Sequence, residues 1–362
     1  MAEIRLADVF AIDRQGFNLR RGVSVLLVML LPLIVLGALG KEKYFVGVAL
    51  GALFTGLCDP GGRYGYRAPR LAVVTGAGTL LTAFGYWLGA QAWGWVMLGA
   101  FAVTLVAGLA VKYGKHRFTA ALLLNVWFLI AVALPDGYAA DHVHTGAWPQ
   151  ALAWAVGSAM MIGWIGVMWP ATGRSDRKQT GAELLPGDTT PVPLSRQVVL
   201  YCVIRAVAVA AAVAIAFGFS LPNADWMPVA ALIAMKPSLR QSTVTALQRL
   251  TGAVIGAVVA SVFLLAVDNK IALGVVVVIV GGLAGAVRAV SYTWYVAAVA
   301  ATVLIAEGMP HPAGLAEEAR RVGFTFVGVG IAVLVTYLAT MAAKRRAGAA
   351  RPRPSASTGA GG

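Results

Sequence analysis

The chain has 362 residues, of which 59% are hydrophobic and only 12% charged, with a formal net charge of +14. That charged share is about half of what a soluble globular domain carries, so a soluble enzyme or binding module is excluded first. The positive balance does not read as a nucleic-acid surface either, because the Lys and Arg residues lie in short stretches between apolar runs and not on one exposed face.

In chain order, Arg20 and Arg21 precede an apolar run from Gly22 to Gly40. It is longer than the roughly 7 to 15 residues of a signal-peptide core. It is expected to stay in the protein although Ala38-Leu39-Gly40 resembles a cleavage site, because a matching segment recurs in the second half. Apolar runs between polar punctuation predict helices over 22–40, 44–58, 70–90, 93–111, 118–134 and 148–170. A second set is predicted over 203–221, 226–236, 248–267, 271–287, 290–306 and 320–342. Most are near the roughly 20 residues that cross a bilayer. The expected architecture is an all-α membrane protein of about twelve transmembrane helices, arranged as two parallel six-helix repeats. The first repeat takes 1–170, a polar cytoplasmic linker 171–196, the second repeat 197–343, and a basic disordered tail 344–362.

Counting Lys and Arg on alternate sides gives twenty-three on the side of both termini and five on the other, with Arg205 left over. Both termini should therefore be cytoplasmic. The halves superpose at an offset near 177: Pro60 meets Pro237, Arg63 meets Arg240, and Gln150-x6-Gly157 meets Arg321-x6-Gly328. Six helices per half give both halves one orientation, hence a pseudo-two-fold axis along the membrane normal.

The second helix of each half is short, Phe45 to Cys58 and Trp226 to Met235, and closes on Asp59-Pro60 or Lys236-Pro237. Short, proline-interrupted segments at matching places of two repeats point to a transport pathway, because broken backbone is tolerated in a membrane only beside protein or water. The pathway is expected there. Arg63, Arg67 and Arg70 follow the first break at one-face helical spacing, and Lys236, Arg240 and Arg249 flank the second among Ser238, Ser242, Thr243 and Thr245. Guanidinium groups bind carboxylates with paired hydrogen bonds, so the natural ligand is a small anion. The competing explanation of each is plain topology, since basic residues collect on cytoplasmic loops. Lys236 is expected to pair with Asp59 across the halves.

Arg205 falls inside an apolar run, but it is expected to match Arg21 at the cytoplasmic boundary with its stem snorkelling outward. Asp59, Asp225, Glu307, Glu317 and Glu318 are candidates for carrying a coupling proton, against the reading of the three glutamates as a solvated loop. Gly252-x3-Gly256 and Gly85-x3-Gly89 permit close helix approach. Asp141-His142-Val143-His144 reads as a solvated loop and not a metal site. Cys58 and Cys202 lie far apart in apolar runs and imply neither disulfide nor metal. There is no phosphate-binding GxxxxGK[ST] loop and no nucleophile triad, so no enzyme and no cofactor is expected.

The stretch from Trp226 to Ala260, with Pro237, Arg249, Gly252 and Gly256, resembles the fusaric acid resistance family of bacterial membrane proteins, also described as aromatic acid exporters. Arg321-x6-Gly328 is similar to the family's closing motif, and the likeness runs from about Arg205 to Leu338. The resemblance implies a six-helix unit, efflux of aromatic carboxylates or other small organic acids, and energy from the proton gradient. It also implies kinship with plant malate-type anion channels, in which two such units pair. The chain departs from the family in its short linker, in Val73 where a counterpart of Gly252 would stand, and in Gln150 for Arg321.

The expected protein is a multi-pass transporter in the bacterial inner membrane that exports small organic anions. Its partners would be the substrate anion and the lipid bilayer, not nucleic acid, with a homo-oligomer or a periplasmic efflux partner open. Trp226, Lys236, Pro237, Arg240, Arg249, Asp59, Arg63, Arg70 and Arg321 would line the pathway. The alternatives are a passive anion channel and a non-transporting module of envelope assembly.

Overall fold

The computed structural model describes residues 9–60, 64–140, 144–171, 193–221, 226–235, 243–308 and 315–349. Twelve α-helices lie among them: α1 Leu19–Ala38, α2 Phe45–Leu57, α3 Tyr64–Gly89, α4 Trp93–Leu109, α5 Lys115–Ala140, α6 Ala147–Ala171, α7 Arg196–Gly218, α8 Trp226–Ala234, α9 Thr243–Ala266, α10 Lys270–Val287, α11 Tyr292–Gly308 and α12 Leu315–Ala349. Eight helices are long and apolar enough to cross a membrane, and two shorter apolar segments lie in α11 and α12. The protein is a multi-pass membrane protein. Its outward positions carry Val73, Leu80, Trp95, Val106, Val167 and Val333, each more than half exposed, which is tolerable only where hydrocarbon is the solvent.

The element boundaries depart from expectation at several helices: α7 starts at Arg196 and not near 203, α9 at Thr243 and not near 248, and α12 spans Leu315–Ala349 and not 320–342. The third helix starts at Tyr64 and not near 70, so Arg67 and Arg70 stand on its first turns. The fifth runs through Pro135 to Ala140, because a proline removes one intrahelical bond but does not forbid helix where neighbours hold the backbone. Here Gly89 of α3 lets Val132 and Pro135 approach.

The two short helices are the centre of the bundle. Every residue of α2 is buried, as are seven of the nine residues of α8. A helix apolar on all sides is stable only when enclosed, and glycines make the enclosure close. Gly157 of α6 seats on the Val48 carbonyl of α2, and Gly328 of α12 seats on the Met227 carbonyl of α8. The expected close approaches also form, Gly85 against Phe128 and Ala131, Gly256 against Ala297 and Ala300, and Gly252 against Thr293 and Val296. Val73 plays no such part; it is 71% exposed.

Packing is reciprocal between the halves. α3 packs on α5 as α9 packs on α11, and α2 on α6 as α8 on α12. Across the halves, α4 packs on α7 as α10 packs on α1, while α5 touches α8 as α11 touches α2. The exception is that α3 lies along α6, whereas α9 meets α12 only briefly among the described residues.

The first helix of each half ends in the same way. The Leu39, Gly40 and Lys41 amides donate to Val35, Gly37 and Leu36, and those of Phe219, Ser220 and Leu221 donate to Ile215, Phe217 and Ala216. The chain turns in the left-handed region at Gly40 (φ +61°) and Ser220 (φ +48°), as helix ends commonly do. This fixes the register of α1 on α7 and corrects the expected match. Arg21 corresponds to Tyr201, and Arg205 corresponds to Val25, one turn further into the helix.

Candidate anion site at the helix breaks

The last four carbonyls of any helix lack intrahelical partners and carry partial negative charge. At both breaks an arginine from the first helix of the same half adds a donor to one of these carbonyls. Arg21 Nη2 donates to the Gly56 carbonyl at 3.5 Å, and Arg205 Nη2 donates to the Leu232 carbonyl at 3.4 Å. The glycine seats match Val48 with Met227, so Leu232 stands at the place of Leu53, three residues before Gly56. The arginine and the carbonyl it caps are displaced together by about one turn.

Arg205 is therefore not a boundary residue. It is 1% exposed, its guanidinium lies 5.8 Å from the Phe118 ring centroid of α5, and its Nε has no hydrogen-bond partner among the described residues. Snorkelling fails because the side chain is drawn to a carbonyl inside the bundle.

Arg249, on the second turn of α9, is 8% exposed. It lies in electrostatic range of Arg205, Tyr201 and Tyr292. Among the described residues the buried Tyr201 hydroxyl has no partner, and no carboxylate pairs with either arginine. The second break thus gathers two buried guanidinium groups, a free phenol and the rings of Phe118, Tyr201 and Tyr292. Two buried cations without a counter-charge are costly, and a bound anion removes that cost.

The first break is arranged differently. Asp59 accepts from Arg67 Nε at 2.8 Å through Oδ1 and from Arg67 Nη2 through Oδ2, a bidentate pair within one half. Arg70 does not join it; its guanidinium stacks 3.5 Å from the Tyr66 ring centroid. Instead Arg21 stands in electrostatic range of Asp59, and of Arg288 and Tyr295 as well.

Five expected residues, Arg63, Asp225, Lys236, Pro237 and Arg240, lie outside the described residues, and with Lys236 its expected pairing to Asp59; so do Ser238, Ser242, Asp141, His142 and Val143. Glu317, Glu318 and Arg321 fall on the first two turns of α12. Trp226 opens α8, at the end away from the break, with its indole nitrogen buried and unpartnered among the described residues. Glu307 is half-buried near the end of α11, likewise remote from Arg249. Gln150 takes an anchoring role, its Nε2 donating to the Lys43 carbonyl at 3.1 Å and to Thr145 Oγ1 at 3.2 Å. Both cysteines are free and buried.

Residues 209–335 match the family model described as fusaric acid resistance protein-like. The second half of this chain is fusaric acid resistance protein-like. The match runs from within α7 to within α12 and so takes in Arg249, Gly252, Gly256 and Gly328. No curated protein and no solved structure matches the chain. For the fusaric acid resistance protein-like half, several apolar helices and this match fit a membrane transporter.

Tyr201, Tyr292, Arg288 and Tyr295 carried no signal in the sequence beyond their places at helix ends. The clue to Arg205 was its place inside an apolar run.

Proposed function

We propose that the protein exports small organic anions, aromatic carboxylates foremost, and that the substrate carboxylate sits between Arg249 and Arg205 at the second break. The observation that carries this reading is the pair of buried arginines without a carboxylate among the described residues. The rings of Phe118, Tyr201 and Tyr292 favour an aromatic acid over a bare ion. The brief contact of α9 with α12, where the first half packs tightly, favours a route along the second half. The proton gradient would supply the energy, and Lys236, Pro237, Arg240 and Arg321 would extend the pathway. Reciprocal packing of the halves supports a pseudo-two-fold pair of repeats in the bacterial inner membrane, with both termini cytoplasmic.

The test is uptake of labelled benzoate into inside-out vesicles and proteoliposomes. Energised vesicles should accumulate benzoate and an uncoupler should abolish the accumulation. Equilibration unaffected by the uncoupler would make the protein a passive channel, and no movement at all would end the transport reading. Orientation is checked separately with a reporter enzyme that is active only outside the cytoplasm. Fused after Gly362 it should be silent, and inserted near Gly146 it should be active; the reverse pattern would overturn the arrangement of all twelve helices.

A further inference from the structure

A second cluster of unsatisfied donors lies where the two halves meet, apart from Arg249 and Arg205. Arg288 caps the end of α10, and it is 8% exposed, with Nη1 buried and without a partner among the described residues. Ser291, just before α11, is 5% exposed with its Oγ equally unpartnered. Arg21 joins them from the first half. Gly22 is pressed against Ala286 and Gly282 of α10, and the Asn18 amide donates to the Ala286 carbonyl at 3.0 Å. This packing holds the start of α1 against the end of α10, and it brings Arg21 into electrostatic range of Arg288.

Among the described residues cations outnumber the carboxylate here. Asp59 offers one negative charge to Arg21, Arg67 and Arg288, and both its oxygens already accept from Arg67. Arg21 spends one donor on the Gly56 carbonyl, leaving a like-charged pair from opposite halves. A buried guanidinium nitrogen and a buried hydroxyl without acceptors each carry a desolvation cost, and a single anion would answer both and screen the repulsion.

The segment before α1 is tied to the same turn. Thr293 Oγ1 donates to the Val9 carbonyl at 2.5 Å, and the Asp13 amide donates to the Val290 carbonyl at 2.7 Å.

We infer that Arg288, Ser291 and Arg21 hold a compact monovalent anion of the size of chloride, which ties the α10–α11 turn of one half to the start of α1 in the other. The ion is a structural clip and not the transported substrate. It stabilises the paired arrangement of the halves, as any ligand that binds only the folded state does.

The experiment is thermal unfolding of the purified full chain in detergent, first in a methanesulfonate buffer, then across a chloride series at constant ionic strength and pH. Wild type should show a saturable rise in Tm with chloride. Arg249→Gln should keep the rise, since that residue belongs to the substrate site, so failure of the transport reading leaves this result standing. Arg288→Gln should lose it, and Ser291→Ala should shift it to higher chloride. If Arg288→Gln does not fold, bromide replacing chloride in wild-type crystals should give an anomalous peak within hydrogen-bond distance of Arg288 Nη1 and Ser291 Oγ. A flat wild-type response, an Arg288→Gln curve that overlays wild type, a rise given by benzoate but not by chloride, or no bromide peak would each overturn the inference.

Discussion

Arg249→Gln is expected to lower benzoate transport by about 10- to 100-fold while leaving the protein folded. The size follows from the loss of one charge-assisted hydrogen-bonded contact, worth about 1.5 to 3 kcal/mol, at about 1.4 kcal/mol per tenfold. Arg249→Lys keeps the charge but not the planar fork, so it should fall between wild type and Gln. Initial rates in proteoliposomes at matched protein density measure this, with size-exclusion profiles as the folding control. Topology offers the opposite outcome: if Arg249 is only one more positive charge on the side of the termini, Lys should transport like wild type, and the substrate site must then be moved. Removing Arg249 also relieves its repulsion with Arg205, so the variant should not be less stable than wild type. Loss of function without loss of stability is what separates a binding cation from a packing one.

Gly328→Val should damage the fold. A Cβ at Gly328 would fall on the Met227 carbonyl and 3.0 Å from the Ala230 Cβ, and backbone cannot give way as a flexible side chain does. Overpacking of this kind costs about 1 to 3 kcal/mol, and here it would also lift α12 off the short helix that forms the break. Gly330, two residues further along α12, is exposed and has nothing within 4 Å of its Cβ position. Gly330→Val should therefore unfold at nearly the wild-type temperature, whereas Gly328→Val should lose several degrees of Tm together with expression yield. Equal tolerance of the two would mean that α8 is not held by the glycine seat.

By itself the sequence determined the solvent, the number of helices and the place of the breaks. These depend on runs of apolar residues and on proline and glycine punctuation, which are local in the chain, and helices in hydrocarbon satisfy their own backbone. The short segments Phe45–Leu57 and Trp226–Ala234 were legible for this reason, as were Arg249 beside the second break and the fusaric acid resistance protein-like character of the second half. Arg63, Lys236 and Arg240 rest on the sequence still, since they lie outside the described residues.

Only the tertiary structure decided which arginines meet. Hydropathy places Arg205 within a helix but cannot say that it faces the Leu232 carbonyl, because that depends on how α7 turns against α8. The expected match of Arg21 with Arg205 failed for the same reason. Register between the first helices of the two halves is carried by their ends, which align Arg205 with Val25, and not by the nearest shared charge. The bidentate pair of Asp59 with Arg67 likewise depends on where the first turns of α3 stand. Burial and pairing of a charge are properties of the space between helices, and that space is built by residues far apart in the chain.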